Sequence, residues 1–286
     1  MKTTILAFAV LAATAGGCKG KPATATRAAG EVVARAARGD LPRTDPAAKA
    51  WDGAGEMVVS LLPQDLVEPR LVTPGVAQLK VRALHAAGWI AFRLEWQDAT
   101  RDALLGPGRF SDGVAVQLPT DAGSDVTDPA MGLKGRAVAI SYWKAAWQET
   151  GDPVAALRPN MPPTFYPPAA ATGGQRAILE QQFAPARGAH NPSTNRAPGD
   201  AVQDLLAEGA GTLTVAPGQD SVGRGAWQGG VWRVTIARPL GPPETSPFRP
   251  GRRTYVAFAV WDGAAANAGA RKMRSAWIPL ALEGTR

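Results

Sequence analysis

Nine short runs of β-forming residues, separated by clusters of Gly, Pro and Asp, decide most of what this chain can fold into. They are Met57–Leu62, Gln78–Leu84, Trp89–Trp96, Gly113–Leu118, Ala137–Trp143, Gly211–Val215, Val231–Ala237, Thr254–Trp261 and Ala276–Leu282. Within Trp89–Trp96, Ile90, Phe92 and Leu94 share a face with Trp96, while Arg93 and Glu95 point the other way. That period of two is the mark of a half-buried strand. The 32 Gly and 25 Pro dilute the helix formers and supply turns, which excludes a helical bundle and suits a sandwich or barrel. The predicted fold is all-β: an antiparallel β-sandwich with a few short helices and a long irregular insertion. The insertion lies between Gln148 and Ala210. Residues 158–174 are too rich in proline to join a ladder. Helices are predicted at Gln175–Phe183 and at Asp200–Glu208, the latter capped by Asp200. With no internal repeat and no second apolar core, residues 41–286 read as one domain.

The N-terminus reads as an export signal. Lys2 precedes an apolar stretch, Ile5 to Ala13, that is too short to span ~30 Å of hydrocarbon. Small residues Ala15, Gly16 and Gly17 then lead directly into Cys18. Residues 1–17 are taken as a lipoprotein-type signal peptide, because the Ala-Gly-Gly-Cys ending resembles a bacterial lipobox. Ala15 in place of the usual Leu leaves plain signal-peptidase cleavage open as well. Cys18 is then a lipid attachment point, and residues 18–40 form a tether with one short helix near Glu31–Ala37. The expected location is the periplasmic side of a bacterial membrane. No other stretch is apolar for long enough to cross one. The formal net charge of +7 suits steering toward an acidic protein or headgroups. No basic tract with interleaved aromatics is present, so nucleic acid is not an expected partner.

The inventory of metal-binding residues is sparse. One cysteine and two histidines exclude a disulfide framework, a Cys-based zinc site, a cysteine-ligated cluster and a poly-His metal site. His85 and His190 read as surface or structural residues. No nucleophile elbow, zincin motif, phosphate loop or haem-attachment motif occurs. Trp96, Trp143, Trp232 and Trp261 sit inside strand patterns and read as core. Nothing resembles an active site.

Eight segments taken together carry a resemblance. They are LPRTDPAAKAW at 41–51, LEWQDATRD at 94–102, FSDGVAVQLP at 110–119 and DPAMG at 128–132. They continue with AISYWKA at 139–145, VQDLLAEGAGTLT at 202–214, GAWQGGVWRVTIARPL at 225–240 and VAFAVWDGAAANAGARKMRSAW at 256–277. In this order they resemble the haem b-binding (γ) subunits of type II dimethyl-sulfoxide-reductase-family molybdoenzymes. That group serves ethylbenzene, selenate, chlorate and dimethyl sulfide enzymes. The resemblance implies an electron-transfer subunit without catalysis of its own. It would hold one non-covalent haem b and relay electrons between an iron–sulfur subunit and a c-type cytochrome or similar carrier. A molybdopterin catalytic subunit is the further implied partner.

The resemblance also implies axial ligands: Met131 in the P-x-M-G loop, and Lys272 before S-x-W. A thioether is a soft neutral ligand that favours ferrous iron. A lysine ligates only as the neutral amine, so burial and coordination must displace its proton. Outside this context a loop Met is ordinary packing, and a Lys beside Arg271 and Arg274 is a solvated patch. Met273 is expected to point away from Lys272, and Lys134 is the nearest competing amine. Arg271, Arg274 and the Arg249/Arg252/Arg253 group are candidate partners for haem propionates. Two rival readings use the same fold without haem. One is a carbohydrate-binding module; the other is a docking lipoprotein, in which Met131 and Lys272 would lie far apart. The substrate of such a complex belongs to its catalytic subunit and not to this chain.

Overall fold

A computed structural model describes residues 30–104, 108–120, 131–149, 201–241, 248 and 253–284. Cys18, His190, Arg249, Arg252 and the helix expected at Gln175–Phe183 lie outside the described residues. The first half of the fold comprises β1 (Val32–Ala36), β2 (Met57–Ser60), β3 (Leu62–Pro63), β4 (Gln78–Ala86), β5 (Trp89–Gln97), β6 (Gly113–Pro119) and β7 (Val138–Lys144). The second comprises β8 (Val202–Ala207), β9 (Thr214–Val215), β10 (Val222–Gln228), β11 (Val231–Pro239), β12 (Arg253–Trp261), β13 (Met273–Arg274) and β14 (Ile278–Leu282). A 3-10 turn at Lys49–Gly53 and α1 (Ala145–Glu149) are the helices among the described residues. No helix among them is long and apolar enough to cross a membrane.

The strands form one bent sheet in the order β10-β11-β5-β4-β1-β14-β12-β6-β7-β8-β9. Strand β12 makes the bend. Arg253–Val256 pair with β14 in one half of the sheet, while Ala257–Trp261 pair with β6 in the other. Downstream on the β14 edge, Ala259 and Val260 pair with β13, which in turn pairs with β3. The two halves close on each other around a single large core.

That core is built by alternation. On β5, Ile90, Phe92, Leu94 and Trp96 are all buried, as expected. From the other half come Val114, Val116 and Leu118 of β6, Trp143 of β7, and Val256, Phe258 and Val260 of β12. Trp96 and Trp232 are register partners and stack at 6.2 Å, and Trp143 meets Trp232 edge-on at 5.2 Å across the halves. Gly225 makes room for this contact: a Cβ there would lie 2.4 Å from the Trp143 ring. His85 is buried, with Nε2 2.9 Å from the Glu283 carbonyl, a structural position.

Two expected helices are strands. The segment expected as a helix at Glu31–Ala37 contains β1, which is parallel to both neighbours, β14 and β4, and is the sole departure from antiparallel pairing among the described residues. Val32 and Ala34 are buried and Val33 is not, a period of two. Ladder bonds on both edges outweigh the weak helix preference of an Ala- and Arg-rich run. The helix expected at Asp200–Glu208 is β8, paired with β7 and β9. Asp204 faces inward instead of lying on a solvent helix face. It accepts bonds from Ser141 Oγ (2.8 Å), Ser221 Oγ (2.6 Å) and Ser221 N (2.9 Å). In a run as short as Val202–Ala207, the apolar spacing fits either period.

Candidate functional site

The half-sheet of β12, β6, β7 and β8 is apolar on both faces, which is unusual for an antiparallel sheet. Its outer face carries a second, smaller cluster: Ala115, Val138, Ile140, Leu205, Ala207, Ala259 and Trp261, with Met131, Tyr142 and Trp277 packed against it. Strands β6 and β12 alternate large and small here. Val114, Val116, Phe258 and Val260 go inward, while Ala115, Ala257 and Ala259 go outward. Small outward residues leave a flat floor, and side chains from the flanking loops stand around it. The result is an apolar cavity of about 510 Å³, within the ~300–1,000 Å³ range of small-molecule and cofactor sites.

Met131 and Lys272 both line this cavity. Met131 lies in the loop before β7, at φ 72°, a left-handed conformation that costs a non-glycine residue ~1–2 kcal/mol. The loop is held from both sides. Gly209 N donates to the Met131 carbonyl at 2.7 Å, and Leu133 and Arg136 bridge each other. Gly132, at φ 79°, packs so closely that a Cβ would stand 2.8 Å from the Arg136 carbonyl and 2.9 Å from that of Ala207. A strained Met in an over-determined loop is the kind of outlier found at ligand sites.

Lys272 is delivered by the loop after β12. Trp261 Nε1 donates to Gly269 O at 3.0 Å, and Asp262 and Asn267 close the turn between them. From the other side, Gln64 acts as a clamp. Its backbone N donates to Lys272 O (2.9 Å), its Nε2 donates to Val67 O (2.8 Å) and Ala270 O (3.0 Å), and its Oε1 accepts from Leu66 N and Val67 N. The Lys272 and Ala270 carbonyls are thus both bonded, whereas the amine is not. Among the described residues Nζ makes no hydrogen bond or ion pair, and it lies 5.1 Å above the Trp261 ring. Burial, and secondarily the Arg274 charge, lower its pKa to about 8. A primary amine this close to neutral is competent as a metal ligand. Met273 turns into the main core at 1% exposure, as expected, and Lys134 is exposed.

The candidate propionate partners separate cleanly. Arg274 lines the cavity; Arg271 is exposed and does not. Arg253 pairs with Glu31 at 2.9 Å on the surface.

A second buried cluster was not foreseeable from the sequence. Asp98, Asp112 and Asp262 belong to three of the segments that carry the family resemblance, and their carboxylates lie within 4.8 Å of one another. Asp112 is fully buried and accepts from Asp102 N (2.7 Å), Gly263 N (2.8 Å) and Trp232 Nε1 (2.9 Å). Asp98 accepts from Thr100 N at 3.2 Å and Trp96 Nε1 at 3.4 Å. Burial pushes the Asp98 carboxyl up to about 6 and that of Asp112 up to about 7, although their hydrogen bonds oppose the rise. The cluster ties the turn after β5, the start of β6 and the end of β12 together. Gln64, the Ala floor, Tyr142 as a cavity wall and this triad all escape sequence reasoning. The available signal was the large-small alternation in Val-Ala-Val-Gln-Leu and Val-Ala-Phe-Ala-Val-Trp.

Fold and site together define a class: all-β sandwiches with an apolar ligand cavity on the outer face of one half. The chain belongs to the ethylbenzene dehydrogenase family, whose model matches residues 48–273. It is similar to the chlorate reductase subunit gamma of Ideonella dechloratans, at 28% identity over 275 residues and 92% of each chain. It is also similar to a Haloferax mediterranei protein named "putative respiratory nitrate reductase heme subunit", at 22% identity over 261 residues, 90% of this chain and 75% of the other. A family 9 carbohydrate-binding module from Caldicellulosiruptor kristjanssonii, solved with cellotriose, superposes with a TM-score of 0.39 at 9% identity over 90% of this chain and 95% of the other. That superposition is too loose to bear on function.

Proposed function

We propose that this chain is the haem-carrying electron-transfer subunit of a molybdoenzyme complex, without catalysis of its own. One non-covalent haem b would occupy the cavity, with Met131 and Lys272 as axial ligands. The observation that carries this reading is a thioether and a largely enclosed amine, without a hydrogen bond or ion pair among the described residues, on the wall of one apolar cavity. The family membership and the relatives' names support the same reading. When bound, haem b supplies a one-electron couple. The chain's residues do the rest: the Ala floor and the Ile140, Leu205 and Trp261 side chains keep water from a large apolar ring. Burial keeps the Lys272 proton weakly held, and the Gln64 clamp fixes the backbone that presents it. With Met131 and Lys272 both holding the iron, the bound group would supply electron transfer and not substrate chemistry.

The implied partners are a molybdopterin catalytic subunit, an iron–sulfur subunit, and a c-type cytochrome or similar carrier. Residues 1–17 would direct export, and Cys18 would anchor residues 18–40 and the domain to the periplasmic side of a bacterial membrane. A pyridine-haemochrome spectrum of the purified full chain, expressed with ample haem, tests the cofactor. One haem b per chain is expected, and a haem-free chain refutes the proposal. Met131→Ala and Lys272→Ala should each lose haem or change the reduced spectrum. Unchanged spectra would reject the ligand pair while leaving the cofactor in place. Mass spectrometry of the mature N-terminus should find an acylated Cys18; an unmodified one rejects the anchor alone.

A further inference from the structure

The wall of the cavity carries an unused cation besides Lys272. Among its described lining residues only Lys272 and Arg274 are basic. The one acid there, Glu68, is paired with Arg70 at 2.9 Å and has a side chain 75% exposed. Arg274 is held in place by backbone pairing to Ala259 on one side and Leu62 on the other. It follows Lys272 by two residues in an extended segment, so the two share a face while Met273 points into the core.

The guanidinium is short of partners for so enclosed a group. Its side chain is 17% exposed, and its one ion pair among the described residues is Nη2 to Asp65 Oδ1 at 3.9 Å, to a carboxylate whose side chain is 71% exposed. Such a long, solvated pair contributes little. The Nε–H is buried and has no acceptor among the described residues. An orphaned buried donor is costly unless a ligand supplies the acceptor. A guanidinium with a free Nε–H on an apolar wall matches a carboxylate at the edge of an otherwise apolar ligand, because the planar fork donates in parallel to two oxygens.

We propose that Arg274 is the carboxylate anchor of this cavity, binding a propionate of haem b. This rests on the haem reading above and adds orientation to it: the acidic edge of the macrocycle would lie toward β13, on the Arg274 Nε side. A bound carboxylate also offsets a positive charge that sits next to the Lys272 amine.

The test compares haem b with its dimethyl ester, which keeps the iron and the ring but removes both negative charges. Each is titrated into the haem-free full chain and followed at the Soret band. The wild-type chain is expected to bind the free acid about tenfold to a hundredfold more tightly than the ester, the range of one charge-assisted bond. Arg274→Gln should bring the two affinities together by weakening only the free acid. Arg274→Lys should keep part of the preference, and Arg271→Gln all of it. Equal affinities in the wild-type chain, or a full preference surviving in Arg274→Gln, overturn the anchor and leave the haem reading intact. Uptake of neither compound by the wild-type chain overturns the haem reading itself. If Arg274→Gln does not fold, the wild-type comparison and Arg274→Lys decide the matter.

Discussion

Two buried ionisable groups, Lys272 and Asp112, sit at opposite ends of the loop that follows β12, and their surroundings differ in one respect. Asp112 is saturated: its carboxylate accepts from two backbone N–H groups and one indole. Lys272 has its carbonyl held by Gln64 N but an amine without a hydrogen bond or ion pair among the described residues. Burial moves both groups toward neutrality, the acid's pKa upward and the amine's downward. A perturbed pKa therefore does not tell a framework group from a ligand-binding one; the count of satisfied donors and acceptors does.

The contrast has a consequence for mutations. Asp112→Ala orphans three buried donors at once and should cost about 3–5 kcal/mol in urea unfolding, the largest effect expected in this molecule. A loss under 1 kcal/mol would mean that the aspartate is not a framework group. The same cluster should impose a pH dependence. The folded-state pKa values of Asp98 and Asp112, about 6 and about 7, lie above the ordinary value of 3.8. The folded chain then holds protons that the unfolded chain has released. The contribution of these two carboxyls to stability is therefore greatest below about pH 4, falls as pH rises toward about 7, and is constant above that. The slope approaches ~1.4 kcal/mol per pH unit for each carboxyl that is protonated only in the folded chain. Asp98→Asn should flatten this slope, and a wild-type stability that rises between pH 4 and 7 would contradict it.

Gly132→Ala is expected to cost about 1–3 kcal/mol, because a Cβ there meets two carbonyl oxygens and φ is positive. It should also disturb the Met131 side of the cavity, visible as altered ligand uptake. Gly229→Ala, at φ 60° with open space around it, is the control: about 1 kcal/mol, with uptake unchanged. Lys272→Met should have the smallest effect on the stability of the haem-free chain, neutral or slightly stabilising, since it replaces a desolvated amine with an apolar chain of similar length. Strong destabilisation would place Lys272 with Asp112 as a framework residue.

How far the sequence could be read follows from the same distinction. Strand interiors such as Ile90-Phe92-Leu94 were legible because their alternation is written in consecutive residues. The core role of Trp143 and Trp232 was legible for the same reason. Strands β1 and β8 were not, because their identity comes from pairing on both edges, which no local pattern carries. Met131 and Lys272 could be named only through a family resemblance. In isolation each is a loop residue, and it takes the β12–β6 and β13–β3 pairings to bring them to one cavity. The Asp98–Asp112–Asp262 cluster was spread over three motifs, each of which looked like an ordinary turn.

The bend of β12 has a final implication, for biogenesis. The floor of the cavity needs β12 beside β6, one wall needs the loop that enters β7, and the opposite wall needs β13, almost the last strand of the chain. A nascent chain therefore lacks the finished cavity until the segment that carries β13 has docked. Occupation of the cavity is thereby tied to the docking of β13: until that strand is placed, the floor exists without one of its walls.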